Sequence, residues 1–271
     1  MLSTNLSAGW YPAPRLAVQA DSYWRDLEAV GLRRYALGAS IVARYQLEPG
    51  WTVTAGGGGN RTDGTGSTGF GSYQLGVSSP ARHRAAFDAS VASSGLDATA
   101  ALAETGVKTT GATVSGRWRP TPLWRVDAAG GWARYSGTAE NDRLNAFLSA
   151  SRRLSRMLTV GSSYRVFTFE QDLDDGYFDP DFYGIGEVTG RLLHQPVPWS
   201  FLVELAPGAE RVGSDGDLAA TLRASMRVAY RIGPGREVSL AGGYSSSGLQ
   251  SFATGYDYRY TALILGLGWT F

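Results

Sequence analysis

Counting by twos from Phe271 reaches Trp269, Leu267, Leu265 and Leu263, all large and apolar, while the face between them carries Thr270, Gly268, Gly266 and Ala262. Successive side chains of a strand point to opposite faces, so this stretch reads as a strand with one bulky apolar face and one face of mostly small residues. Nothing polar interrupts the bulky face, which therefore needs lipid or a second apolar sheet against it. A barrel strand and an edge strand of a soluble β-sandwich both answer to that.

The same alternation recurs throughout the chain. In residues 15–25, Leu16, Val18, Ala20, Ser22 and Trp24 oppose Arg15, Gln19, Asp21 and Tyr23; in residues 34–47, Tyr35, Leu37, Ala39, Ile41, Ala43, Tyr45 and Leu47 oppose Arg34, Ser40, Arg44 and Gln46. The turn Glu48-Pro49-Gly50 follows, and Trp51, Val53 and Ala55 open the next strand, which is hairpin syntax. No apolar run approaches the roughly 20 residues of a membrane helix, which excludes a helical membrane protein. A mean hydropathy of -0.16 still suits a barrel, because alternation hides apolarity from an average. The absence of Cys removes disulfide frameworks and thiolate metal sites. Residues 1–6 show neither the basic region nor the apolar core of a signal peptide, so either a signal has been removed or the chain is part of a longer protein.

Connections alternate in length. Short ones fall near Pro49, Pro80, Pro120-Thr121-Pro122, Ser155, Pro196-Val197-Pro198 and Pro234-Gly235; longer ones occupy residues 60–68, 95–104, 137–142, 171–181, 213–217 and 246–255. Outer-membrane barrels have short periplasmic turns and longer outer loops, so the Pro turns are expected at the periplasmic rim. Trp51, Trp118, Trp124, Trp199, Tyr230, Trp269 and the terminal Phe271 then gather at that rim, and Trp24, Tyr35, Trp132, Tyr164 and Tyr244 at the other, as two interfacial girdles. The expectation is an all-β, transmembrane, antiparallel up-and-down barrel of about 14 strands over residues 15–271, with residues 1–14 as an entry segment or partial strand. If residues 2–10 add a strand, parity requires another upstream and the intact barrel has 16.

The face opposite the apolar one is the expected lumen. It carries Arg15, Arg34, Arg44, Arg84, Arg117, Arg119, Arg125, Arg143, Arg153, Arg165, Arg191, Arg223, Arg227 and Arg231 against Asp21, Asp88, Asp127, Glu187, Glu204 and Glu237. Two readings follow: a ladder of Arg paired with acids that props the interior, or an electropositive conduit whose excess Arg is not neutralised. Inward aromatics, Tyr23, Tyr135, Phe147, Phe167 and Phe169, suit sugar stacking or a plug equally. His83 and His194 lie beside different turns with no converging Ser or Asp, which argues against catalysis. The run Gly56-Gly57-Gly58-Gly59 leads to no helix, so it reads as a curved or uncrowded wall rather than a phosphate cradle. Asp172, Asp174, Asp175, Asp179 and Asp181 lack the spacing of a Ca²⁺ loop and read as a solvated loop. No cofactor, metal or nucleic acid is called for.

The final strand closing on Phe271 resembles the signal read by the outer-membrane insertion machinery. Asn141-Asp142-Arg143, Leu154-Ser155, Leu158-Thr159-Val160-Gly161 with Tyr164, Phe167 and Phe169, and Gly176-Tyr177-Phe178-Asp179-Pro180 resemble the barrel half of exopolysaccharide exporters that carry periplasmic tetratricopeptide repeats. The cellulose synthase outer-membrane subunit and the poly-N-acetylglucosamine exporter are of this type. The resemblance covers about the second half of the chain; the sequence shows no helical repeat ahead of the barrel, so the expectation is either that the repeats have been cut away or that the chain is a stand-alone relative. It implies a bacterial outer-membrane conduit without chemistry of its own, surrounded by lipid and lipopolysaccharide, supplied by a periplasmic repeat domain and an inner-membrane synthase. An Arg-rich lumen would favour an anionic polymer. A small-solute or anion-selective porin, and a structural sheath filled by a partner, need only the same lumen.

Overall fold

The computed structural model describes residues 2–29, 32–48, 50–63, 69–80, 84–96, 100–173, 177–233, 236–247 and 260–269. Fifteen strands form one antiparallel sheet in sequence order: β1 (Leu2–Ala13), β2 (Leu16–Ala29), β3 (Leu32–Gln46), β4 (Thr52–Thr62), β5 (Gly69–Ser78), β6 (Ala85–Gly95), β7 (Lys108–Trp118), β8 (Trp124–Ser136), β9 (Glu140–Arg153), β10 (Leu158–Phe169), β11 (Tyr183–His194), β12 (Trp199–Val212), β13 (Leu218–Gly233), β14 (Arg236–Ser245) and β15 (Tyr260–Trp269). One short helix, α1 (Ala100–Thr105), lies in the β6–β7 connection. Strands of 10 to 16 residues meet or exceed the 9–11 that a tilted strand needs to cross a bilayer. No described helix is long and apolar enough to do so. The architecture is the expected all-β, up-and-down barrel wall.

Fourteen strands follow Arg15, as the alternation predicts, and the segment read as an entry element is a fifteenth. β1 pairs with β2 from Leu2↔Asp26 to Ala13↔Leu16. Its Pro12 falls in the register shift between Trp10 and Ala13, on a strand whose other edge is open, where a missing ladder N–H does no harm. β1 and β15 are the edges and do not pair with each other. Both run from the long-loop rim to the short-turn rim, so they point the same way.

One face of the sheet exposes large apolar side chains at the middle of its strands, with Val114 58% exposed, Leu144 60%, Val188 63% and Met226 52%. No soluble protein leaves so continuous an apolar belt in water. The buried side chains, Leu27, Ala36, Phe167, Tyr183 and Ala206 among them, occupy the opposite, inner face. In the glycine run, a Cβ on Gly58 would lie 2.2 Å from the Ala39 carbonyl oxygen and one on Gly56 would lie 2.8 Å from that of Ile41. Only Gly permits β3 and β4 to approach this closely, which accounts for Gly56 and Gly58; a Cβ on Gly59 would instead lie 2.9 Å from the Phe70 carbonyl oxygen of β5.

Candidate functional site

The ladder registers place the predicted lining residues on the inner face and decide which meet. Arg117 stands opposite Asp127; its Nε donates to Oδ1 at 2.9 Å, and Arg125 Nε donates to Oδ2 at 2.6 Å. One carboxylate thus serves two guanidinium groups. Arg223 holds Glu187 through Nε and Nη2 at 3.1 and 3.2 Å and Glu204 through Nη1 at 2.7 Å, linking β11, β12 and β13. Arg227 pairs with Glu237 at 2.8 Å, Arg34 with Glu104 of α1 at 2.5 Å, and Arg15 with Glu48. To this extent the propped-interior reading applies.

The remaining inward Arg have no ion pair among the described residues: Arg44, Arg84, Arg119, Arg143, Arg153, Arg165, Arg191 and Arg231. Arg44 donates to the Gln19 amide oxygen (3.2 Å) and Arg84 to the Pro120 carbonyl (2.5 Å). Arg165 lies over the Phe147 ring at 5.4 Å, and Arg143 over Phe167 at 4.3 Å while donating to Tyr135 Oη. Guanidinium planes tolerate such faces because they are weakly hydrated. None of these eight is held in an ion pair among the described residues, although Arg191 stands opposite Glu204 and Arg231 opposite Glu237 in the ladder, and Arg44 acts on Asp21. The wall from β4 to β6 differs: its inward residues are mostly small or hydroxylic, including Thr54, Gly56, Ser72, Gly76, Ser90 and Ala92, joined by Asn60, Phe70 and Gln74, with Asp88 the one charge among the described positions there.

The long-loop end of the bore is filled. Phe167, Phe169, Tyr177, Tyr183 and Ile185 form a buried cluster with Leu102 of α1 and Val107, against which Tyr135 and Phe178 pack. Phe167 stacks on Tyr183 at 4.8 Å and Tyr135 on Tyr177 at 4.8 Å. Ala103 joins Leu27 and Ala36 in a second cluster on β2 and β3, and its carbonyl accepts from Thr62 Oγ1 at 3.1 Å. α1 therefore bridges β2 and β3 to the wall that carries β10 and β11. Asn141 is fully buried and clamps the 170–182 connection: its Nδ2 donates to the Gln171 carbonyl at 2.7 Å and its Oδ1 accepts from the Gln171 amide at 3.0 Å. Asp179 Oδ2 accepts from Leu173 N at 2.7 Å and from Asn141 Nδ2 at 3.3 Å.

One expectation is corrected here and one feature is added. The connection at residues 95–104, expected only to be long, contains a helix; and the acidic segment is not wholly solvated, since Tyr177 and Asp179 turn inward and are buried, because aromatic neighbours draw the segment into the bore. Asp174 and Asp175 lie outside the described residues. Asn141 and the Tyr183–Glu210 hydrogen bond (2.7 Å) were missed as lumen features. Parity was the available signal, since Asn141 shares the face of Arg143 and Glu210 that of Glu204.

Trp118, Trp124, Trp199 and Tyr230 stand on the outer face near the short turns, and Trp24, Trp132, Tyr35 and Tyr164 on that face near the long loops. Trp199 packs on Tyr230 at 4.7 Å, Trp24 on Tyr35 at 6.0 Å, and Trp51, just ahead of β4, on Phe87 at 5.1 Å. Trp10, unpredicted, joins the short-turn group beside Val18. Trp269 ends β15, while Phe271 and His83 lie outside the described residues. His194 Nδ1 faces Met157 Sδ at 3.1 Å and its ring stacks on Phe201, an arrangement with no nucleophile or acid in reach. Among the described residues no His and acid cluster has metal-site geometry.

No protein-family model matches the sequence, and no curated protein matches it. Among solved structures, the chain is similar to one described as a bacterial polysaccharide outer membrane secretin, with a TM-score of 0.72 at 13% identity over 99% of this chain and 90% of that one. It is also similar, with a TM-score of 0.42 at 13% identity over 98% of this chain and 81% of that one, to the CymD monoaromatic hydrocarbon channel. At 13% identity the first likeness bears on the fold alone, an antiparallel up-and-down wall of the kind that outer-membrane barrels have.

Proposed function

We propose that the chain is an outer-membrane conduit, without catalytic chemistry of its own, through which an anionic exopolysaccharide leaves the periplasm. The observation that carries this reading is the set of inward Arg that form no ion pair among the described residues, Arg119, Arg153 and Arg165 foremost. An interior with uncompensated cations of low mobility concentrates polyanions and repels cations. A conduit must also release its cargo, and scattered, partly stacked guanidinium groups attract without caging. The fold shared with a polysaccharide secretin is consistent with this cargo. In this reading the short-turn rim is periplasmic, and a repeat domain and an inner-membrane synthase deliver the polymer there.

An anion-selective small-solute pore needs the same cations, and the filled long-loop end favours the gated, polymer-specific alternative over a constitutively open one. Two measurements test this in reconstituted bilayers. Under a KCl gradient the reversal potential reports Cl⁻ over K⁺, and Arg165→Gln with Arg191→Gln lowers that preference, most at low ionic strength, where the Debye length reaches about 30 Å. Proteoliposomes release trapped oligogalacturonate faster than maltooligosaccharide of equal length. Cation preference, or equal release of the two sugars, would overturn the proposal.

A further inference from the structure

At the short-turn rim, Arg84, just ahead of β6, and the β7–β8 turn are stitched into one cavity of about 360 Å³, lined by Arg84, Arg117 and Arg119 with Ala86, Thr121 and Pro122. The stitching is specific. Arg119 N donates to the Arg84 carbonyl at 2.7 Å, and Arg84 Nη1 donates to the Pro120 carbonyl at 2.5 Å. Arg84 holds this position in the left-handed region, at φ 71°, the one such non-Gly residue among those described. A bulky residue there is uncommon and disfavoured, and such residues gather at sites where the surroundings impose them. The charge is equally one-sided. Asp127, the neighbouring carboxylate, is already shared by Arg117 and Arg125, and the Arg119 guanidinium has no hydrogen-bond or ion-pair partner among the described residues.

The geometry points to an entry subsite for a carboxylate-bearing sugar unit. The planar guanidinium fork matches a carboxylate with two parallel N–H donors, which an ammonium does not. Ala86 and Pro122 give the cavity an apolar side for a pyranose face, and Thr121 a hydroxyl. The volume lies at the small end of ligand sites, about 300–1,000 Å³, so it admits one or two sugar units and holds a polymer by its end or by one segment. The direction of travel rests on the conduit reading; the binding itself does not.

The test uses the full chain in nanodiscs and fluorescently labelled trigalacturonate, followed by anisotropy at low salt. Binding is expected, weakening steeply as salt rises, because each released counterion enters the equilibrium. Arg119→Gln, whose backbone bond to Arg84 is untouched, should weaken binding at least tenfold, and Arg84→Gln with Arg119→Gln further. Lys108→Gln, the same loss of charge at the far rim, should change it less than twofold. Unlabelled maltotriose should not compete. Unchanged affinity in Arg119→Gln overturns the subsite. So does competition by inorganic phosphate as effective as that by trigalacturonate, which would mark a generic anion site. Binding by a chain that neither conducts nor releases polymer sustains the subsite and removes the conduit, so the two failures are distinct.

Discussion

Asn141→Ala should open the long-loop end of the bore. The side chain makes two good hydrogen bonds to the Gln171 backbone, at 2.7 and 3.0 Å, and is fully buried while making them. Each is worth about 1 kcal/mol net, so their loss shifts the equilibrium for releasing residues 170–173 by about 2 kcal/mol, or about 30-fold at roughly 1.4 kcal/mol per decade. Leaving the Gln171 amide buried and unpaired adds about 1–3 kcal/mol more if water cannot reach it. The assay is amide hydrogen exchange of the reconstituted protein, read at Gln171 and Leu173, whose amides are tied to Asn141 and Asp179 respectively. Both should exchange at least 30-fold faster, with amides at the centre of β10 unchanged. Single-channel records should show a matching rise in the fraction of time spent open. Exchange within about threefold of wild type would refute the clamp, and faster exchange with unchanged opening would show that the aromatic cluster alone closes the bore.

Met226→Arg, at the centre of the outer face of β13, should cost about 2–4 kcal/mol in a liposome refolding titration, whereas Ser225→Arg, opposite Glu204 on the inner face, should cost far less; equal costs would contradict the lipid-facing assignment. Cys introduced at Asp215 should react with an impermeant reagent on intact cells, and Cys at Pro120 should react only after the outer membrane is breached; the reverse pattern would invert the proposed orientation. The Asp181 carboxylate is held below its ordinary pKa, chiefly by hydrogen bonding from Ser214. Because the folded value is depressed, the tie between the two loops contributes fully above the unfolded value of about 3.9 and is lost as pH falls through the lower folded value. The Ser214 amide resonance in nanodiscs should titrate below pH 3.9 and stay flat in Asp181→Asn; a midpoint at or above that value would refute the tie.

The wall was readable because every strand has two unlike faces, and an error of one position would exchange Leu222 with Arg223. Parity alone therefore assigned Trp199 outward and Arg191 inward, and the turns were marked by Pro and Gly. What closes the bore was not readable. Leu102 joins the cluster of Phe167 from a wide separation in sequence, and six residues of helix inside a loop carry no periodic signal. Nor did alternation decide which Arg would be neutralised. Arg223 reaches Glu187 across the whole width of β12, a choice set by side-chain length and register together. The acidic segment misled because charge counting sees Asp172 and Asp179 alike, while one is exposed and the other buried among rings.

α1 has a mechanical consequence. A curved sheet with two unpaired edges is compliant, since it can flatten or widen by small rotations distributed over many ladders. Leu102 fastens the helix to the β10–β11 wall, and Ala103, together with the Arg34–Glu104 pair, fastens it to β2 and β3, so it acts as a strut across the ring. The strut lies at the long-loop rim, and the short-turn rim has no counterpart among the described residues. Lateral pressure from the bilayer therefore meets a braced ring at one end and an unbraced one at the other. The bore is therefore expected to hold its cross-section at the end that α1 braces and to vary it most at the other, where the arginines gather.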